Sequence, residues 1–203
     1  LKGGDPFIFG RGGEEAEFLA DRGIVCEVVP GVTSAISAPA YAGIPLTHRD
    51  HASTVALITG HEDEKRTTSS IRWHELANGP DTLVFLMGIK NLNVIADRLV
   101  MEGKDPSTPA CIIQSGTLPT QKVVSGRLSE IGSLAKKAGI KPPGIIIVGS
   151  VVSLREKLEW FEKRLLFGKK VVITRPPHQS MRLANLLSDR GAQVIHVPTI
   201  EIS

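Results

Sequence analysis

Short apolar runs rich in β-branched residues alternate along the chain with stretches whose apolar positions recur every three or four residues. That alternation predicts an α/β protein. Residues 24–29, 53–59, 82–87, 110–113, 122–126 and 144–148 read as strands, with 82–87 and 144–148 apolar enough to be buried on both faces. Helical spacing marks 14–22, 34–42, 70–77, 91–101 and 128–138, and a long amphipathic helix is expected over 152–166. Thr33 stands at a favourable capping position before a helix of small residues, whose Ala, Ser and Gly content suits close packing against backbone or ligand. Gly116 to Pro119 predicts a hairpin turn. Beyond Gly168 the pattern restarts as a strand over 170–174, a helix over 178–190 and a strand over 192–197. That is one βαβ unit of about thirty residues.

Composition narrows the class. The 203 residues are 41% hydrophobic and 22% charged, as in ordinary soluble globular proteins. No apolar run reaches the roughly 18 residues that a membrane span needs, and residues 1–15 do not read as a secretory signal. Cys26 and Cys111 each lie in an apolar run and read as reduced, buried thiols of a cytoplasmic protein. A net charge of +3 permits an acidic substrate. With six Phe and one Tyr beside dispersed basic residues, neither a nucleic-acid nor a membrane partner is expected. Both termini read as cut from something longer.

Lys2-Gly3-Gly4-Asp5-Pro6, with Gly10-Arg11-Gly12-Gly13 behind it, is the strongest local signal. Paired glycines allow a ligand to approach the backbone, and a carboxylate beside them suits a cationic or hydroxyl-bearing partner; a tight surface turn explains the same residues. Neither a dinucleotide fingerprint nor a Walker lysine is present. Met87, at the end of a buried strand, reads as core on its own, and Arg11 and Arg49 read as solvated arginines. His48 and His51 are three apart in a non-helical stretch, so no metal site is expected. The run from His61 to Glu64 reads as a polar loop.

The runs LKGGDPFIFGRGGEEAEFL, EVVPGVTSAISAPAYAGIPLTHR, TLVFLMG and PPGIIIVG resemble the tetrapyrrole methylase family, and its uroporphyrinogen-III C-methyltransferase branch most closely. VVSLREKLEWF is similar to the family's last helix, so the likeness extends to about residue 166. It implies a two-lobed α/β methylase fold, with the first lobe truncated to residues 1–50 and the second occupying 51–166. It also implies S-adenosylmethionine as cofactor, with S-adenosylhomocysteine as product. Carried over by residue, the cofactor site comprises Gly3, Gly4, Asp5, Ile8, Thr33, Ser34, Met87 and Gly116, while Gly144 stands where the family often has Ala. Arg11 and Arg49 are the expected contacts to a substrate ringed by carboxylates.

The implied reaction is C-methylation of uroporphyrinogen III to precorrin-2, in sirohaem or cobalamin biosynthesis, by a homodimer. The family's proposed acid–base residues precede Leu1, so no catalytic residue is named and this stretch alone is expected to be inactive. Residues 167–203 resemble the opening of uroporphyrinogen-III synthases, which implies a bifunctional protein with a lyase activity. The competing readings are a methylase of a later precorrin and an inactive dimerisation module.

Overall fold

Five strands form one mixed sheet, and the way their side chains alternate explains the layers on either side. The structure is a computed structural model and describes residues 1–60 and 70–199; the polar loop expected at His61 to Glu64 lies outside the described residues. β1 (Val55–Thr59) and β2 (Thr82–Leu86) run parallel, whereas β5 (Gly144–Val148) is antiparallel to both β2 and β3 (Pro109–Gln114). β4 (Lys122–Arg127) closes the far edge as the hairpin partner of β3.

Successive strand residues point to opposite faces, so each central strand feeds two cores. Leu83, Phe85, Ile112, Ile146 and Val148 face one side, where they pack with Leu92, Ile95, Leu99 and Ile131. Those four belong to α4 (Leu92–Met101) and α5 (Ile131–Lys137), and α3 (Trp73–Asn78) completes that layer. Val84, Leu86, Cys111, Ile113, Ile145 and Ile147 face the other side and pack with Ala35, Ala38, Ala42, Val151 and Val152. Ala35 and Ala38 come from α2 (Ser34–Tyr41) and Ala42 caps it, and these small side chains bring its backbone close to the sheet. α1 (Gly12–Ala20) precedes it and is largely exposed.

The carboxylate of Asp81 ties the two parallel strands together at their start. It accepts hydrogen bonds from the Ser53 N–H at 2.8 Å, the Thr54 N–H at 3.0 Å and the Thr54 hydroxyl at 2.8 Å. The Thr54 hydroxyl and then these two amides hold the Asp81 pKa below its ordinary value of 3.8. A depressed folded-state pKa gives stability that is present above the ordinary value and lost as pH falls through the folded one. Asp81→Asn is therefore expected to lower the thermal midpoint at neutral pH. It is also expected to flatten the decline in that midpoint below about pH 4, measurable by calorimetry across a pH series.

Three expectations change. Residues 24–29 do not form a strand: they run extended without a ladder partner among the described residues, and Val25 and Val29 are exposed. A single extended segment cannot satisfy its own backbone groups. Cys26 is consequently exposed, while Cys111 is buried as expected. The long helix over 152–166 is interrupted. A 3₁₀ turn at Ser150–Leu154 leads into α6 (Arg155–Leu158), which ends at Glu159 in an extended conformation. Tertiary packing overrides the helical period here, because Trp160 and Phe161 turn onto Tyr41 at ring distances of 5.1 and 4.8 Å. The Trp160 indole N–H also donates to the Ala40 carbonyl at 3.0 Å.

After Gly168, β6 (Lys170–Ile173), α7 (Pro177–Asp189) and β7 (Gln193–His196) form the expected parallel βαβ unit. The Leu166 N–H donates to the Arg190 carbonyl at 2.8 Å. A side chain at Gly191 would come within 3.0 Å of the Arg164 Cβ, so the unit rests closely on the segment before it.

Candidate functional site

The glycine loop is organised by the carboxylate of Asp5. One oxygen accepts the N–H groups of Phe7 at 2.8 Å and Ile8 at 3.1 Å, and the other accepts the N–H of Gly31 at 3.0 Å. These bonds, led by that of Gly31, hold the Asp5 pKa below its ordinary value. Gly31 must be glycine because a Cβ would sit 2.2 Å from the Gly4 carbonyl oxygen. Gly4 has φ +78, and its open side faces Val32 and Thr33. Gly4 and Asp5 thus abut the turn that ends at Thr33. Thr33 is buried, and its hydroxyl caps α2 by accepting the Ala35 N–H at 3.3 Å.

The other face of this helix start opens onto a cavity of about 580 Å³. Its walls come from four places in the chain: Ser34 and Ser37 on α2, Met87, Ile89 and Lys90 beyond β2, Ser115 to Leu118 beyond β3, and Pro142 to Ile145 at the start of β5. Ser34, Met87 and Gly116 are far apart in sequence and line this one cavity, and Gly144 joins them. A Cβ on Gly116 would meet the Ala38 Cβ at 2.6 Å, so α2 and the 115–118 turn are nearly in contact.

The remaining expected residues lie elsewhere. Thr33 is the cap beside Ser34 and is not on the cavity wall, and Gly3, Gly4 and Asp5 of the glycine loop do not line the cavity either. Ile8 belongs to that loop and does not line the cavity. Arg11 is 82% exposed and paired with Glu14 at 3.4 Å on a separate surface concavity that includes Lys2 and Phe18. Arg49 is exposed in the turn bridging His48 and Ala52 and is not on the cavity wall.

Backbone strain singles out the same region. Among the described residues the non-glycine positions with positive φ are Phe9, Arg11, Met87, Ser115 and Thr117. The first two are in the glycine loop and the last three line the cavity. Such conformations cost about 1–3 kcal/mol each and persist only where the surroundings over-determine them. This strain was not visible in the sequence, since Thr117 is a residue type that rarely adopts φ +71. Lys90 was also missed: it lines the cavity as its one titratable side chain among the described residues.

Chemically, Leu86, Met87, Ile89, Ile113 and Ile145 offer apolar walls to a flat body, while Ser34, Ser37, Ser115 and Thr117 surround them with hydroxyls. The volume falls within the range of small-molecule sites. A larger concavity of about 730 Å³, bounded by Ile36, Ile44, Leu57 and Trp160, is almost wholly apolar and holds none of the expected site residues. Cys111 is buried within β3, where burial pushes its thiol up to about 12, so it is not a nucleophile. No group of three metal-ligating side chains converges among the described residues.

Since Asp5 joins the glycine loop to the turn before α2, Asp5→Ala is expected to loosen this side of the site while the sheet core stays folded. Calorimetric titration with S-adenosylhomocysteine should show at least about tenfold weaker binding, and circular dichroism should be unchanged.

An α/β lobe with a small-molecule cavity at one end of its sheet defines the class, and the comparisons with known proteins specify it. Residues 1–132 match the family of Tetrapyrrole (Corrin/Porphyrin) Methylases. The chain belongs to that family.

It is 46% identical over 202 residues to the "Porphyrin biosynthesis protein HemD" of Ruminiclostridium josui, covering 100% of this chain and 40% of that protein. It is 44% identical over 198 residues to the "Uroporphyrinogen-III C-methyltransferase" of Bacillus subtilis, covering 98% of this chain and 41% of that protein. The chain therefore spans about two fifths of the length of these curated relatives. Among solved structures, the uroporphyrin-III C-methyl transferase of Thermus thermophilus complexed with S-adenyl homocysteine superposes with a TM-score of 0.65 at 38% identity. That match covers 76% of this chain and 66% of the other.

Proposed function

We propose that the full-length protein carrying this chain is a cytoplasmic uroporphyrinogen-III C-methyltransferase that uses S-adenosylmethionine and yields precorrin-2. The observation that carries this reading is the gathering of Ser34, Met87 and Gly116 around one cavity at the sheet's end. Relatives named for this reaction, and a solved relative complexed with S-adenyl homocysteine, support it.

The cavity suits the cofactor on its own terms. Its apolar walls match an adenine, its hydroxyls match ribose and amino-acid groups, and any side chain at Gly116 would crowd the space between the 115–118 turn and α2. When bound, the cofactor supplies an electrophilic methyl group. Ser34, Met87 and Gly116 hold it, Thr33 fixes the start of α2 beside it, and Gly3, Gly4, Asp5 and Ile8 set the neighbouring loop. These residues contribute position rather than acid–base chemistry, and alignment of nucleophile and methyl donor alone is worth up to several kcal/mol. Arg11 and Arg49, both exposed, are the proposed contacts to substrate carboxylates.

In the same reading, residues 1–50 belong to the first methylase lobe, 51–166 to the second, and 167–203 open a uroporphyrinogen-III synthase domain in a bifunctional homodimer. The βαβ unit from Lys170 to His196 supports the last assignment. The test is anaerobic incubation of the full-length protein with uroporphyrinogen III and methyl-labelled S-adenosylmethionine. Label should enter the tetrapyrrole twice. Label entering only an already methylated precorrin, or no transfer at all, overturns the proposal.

A further inference from the structure

The strained rim of the cavity is held by a chain of buried and half-buried polar side chains outside the site described above. Gln121 is 4% exposed, and its side-chain oxygen accepts the N–H of Thr117 at 2.9 Å. Its amide nitrogen donates to Glu162 at 2.7 Å and, more weakly, to the Tyr41 carbonyl at 3.4 Å. The second oxygen of Glu162 accepts from the guanidinium of Arg155, which also donates to the Ala42 carbonyl. The side chains of Arg155 and Glu162 are 15% and 17% exposed.

This chain joins the cavity's rim at Thr117 to the far end of α2. At one end it holds Thr117, whose φ of +71 is costly for a β-branched residue, in the turn with Ser115 at φ +51. At the other it holds Tyr41 and Ala42, the last turn of the helix whose first residue, Ser34, lines the same cavity. Between these anchors α2 and the turn come closest at Ala38 and Gly116.

The orientation of the Gln121 amide is fixed by its partners. A backbone N–H can only donate, so it must face the amide oxygen; an ionised carboxylate can only accept, so it must face the amide nitrogen. Flipping the amide would place two donors together at Thr117 and two acceptors together at Glu162.

We propose that Gln121 is a positioning residue for the methyl-donor cofactor: through the chain Gln121–Glu162–Arg155 it fixes the strained Ser115-Gly116-Thr117 rim against α2 and so sets the shape of the cavity. This inference rests on the cofactor reading of the cavity. Its energetic logic is that the cost of the strained rim is met by bonds made inside the fold, so the cofactor meets a preformed wall rather than ordering one on arrival.

The fixed polarity gives a test. Gln121→Glu presents a carboxylate to Glu162, and Glu162→Gln presents an amide N–H to the amide N–H of Gln121 because its oxygen must still face Arg155. Each single variant breaks the chain. The double variant Gln121→Glu with Glu162→Gln restores the link between the two side chains with reversed polarity, without the weaker bond to the Tyr41 carbonyl. The amide now at position 162 donates to the carboxylate now at position 121, whose other oxygen accepts the Thr117 N–H.

S-adenosylhomocysteine would be titrated calorimetrically into the full-length protein and its three variants. Hydrogen exchange at the Thr117 amide would be followed in parallel without ligand. Each single variant is expected to bind at least about tenfold more weakly, the scale of one buried hydrogen bond lost with its partner stranded. The double variant is expected to return to within about threefold of wild type, a coupling that independent sites would not show. Thr117 exchange should accelerate in the singles and recover in the double, while the Ile112 amide in β3 stays protected throughout. A purely structural role would lower melting temperatures but leave affinity unmoved.

Single variants that bind as wild type, or a double variant no better than the singles, overturn the inference while leaving the cofactor reading intact. A wild type that binds no S-adenosylhomocysteine overturns the cofactor reading, and this inference with it. Should a single variant fail to fold, the double variant decides alone by the same threefold criterion.

Discussion

Phe85→Ala is expected to reduce the unfolding free energy by about 3–5 kcal/mol, the range for truncating a buried aromatic in a core that relaxes only partly. Phe85 is completely buried in β2, which is flanked by β1 and β5 and so cannot shift toward an edge. Its ring stacks on Trp73 of α3 at 6.3 Å and 15°, and it packs in the same cluster as Leu92, Ile95 and Leu99 of α4. Two helices therefore lose a shared contact when it is removed. Urea unfolding should show a lower midpoint with an unchanged slope, since the surface exposed on unfolding is the same. A loss below about 1 kcal/mol would mean that this face of the sheet collapses around the gap.

The apolar runs that place Phe85 in the core also made the sheet legible from the sequence. In Thr82 to Leu86 and Gly144 to Val148 nearly every residue is apolar, and both strands prove to be central. The turn from Gly116 to Pro119 and the restart at Gly168 mark connections that the structure contains. Local pattern was misleading where distant contacts decide the outcome. Residues 24–29 have ideal strand composition, but a strand exists only with a partner to share its hydrogen bonds. Residues 152–166 have helical spacing, yet Trp160 and Phe161 gain more by covering Tyr41 than by continuing the helix.

The site divides in the same way. Gly116 and the glycine loop are readable because glycine is needed where backbones approach closely. Asp5 was readable as important from its place beside the paired glycines, and the structure adds that its carboxylate accepts three backbone N–H groups and so builds the loop. Gln121 is far in sequence from Glu162 and Arg155 and shares no local motif with them, and only the fold shows that they touch.

The central claim is that the cavity beneath Met87 and Gly116 binds the methyl donor. It is tested most directly by titrating S-adenosylhomocysteine into the full-length protein and its Gly116→Val variant. In the variant even the first side-chain carbon must displace Ala38, 2.6 Å away, and Ile113, 3.3 Å away. The clash lies between two residues of the cavity wall, Gly116 and Ala38, so relieving it is expected to change the shape of the cavity. Ala38 and Ile113 belong to the buried cluster on that face of the sheet, so the variant should also melt lower, and circular dichroism checks that the protein titrated is folded. Wild type is predicted to bind about one equivalent, and the folded variant to bind at least about a hundredfold more weakly, roughly 2.7 kcal/mol. A folded Gly116→Val protein that binds S-adenosylhomocysteine as tightly as wild type would contradict the account, as would a wild type that does not bind it.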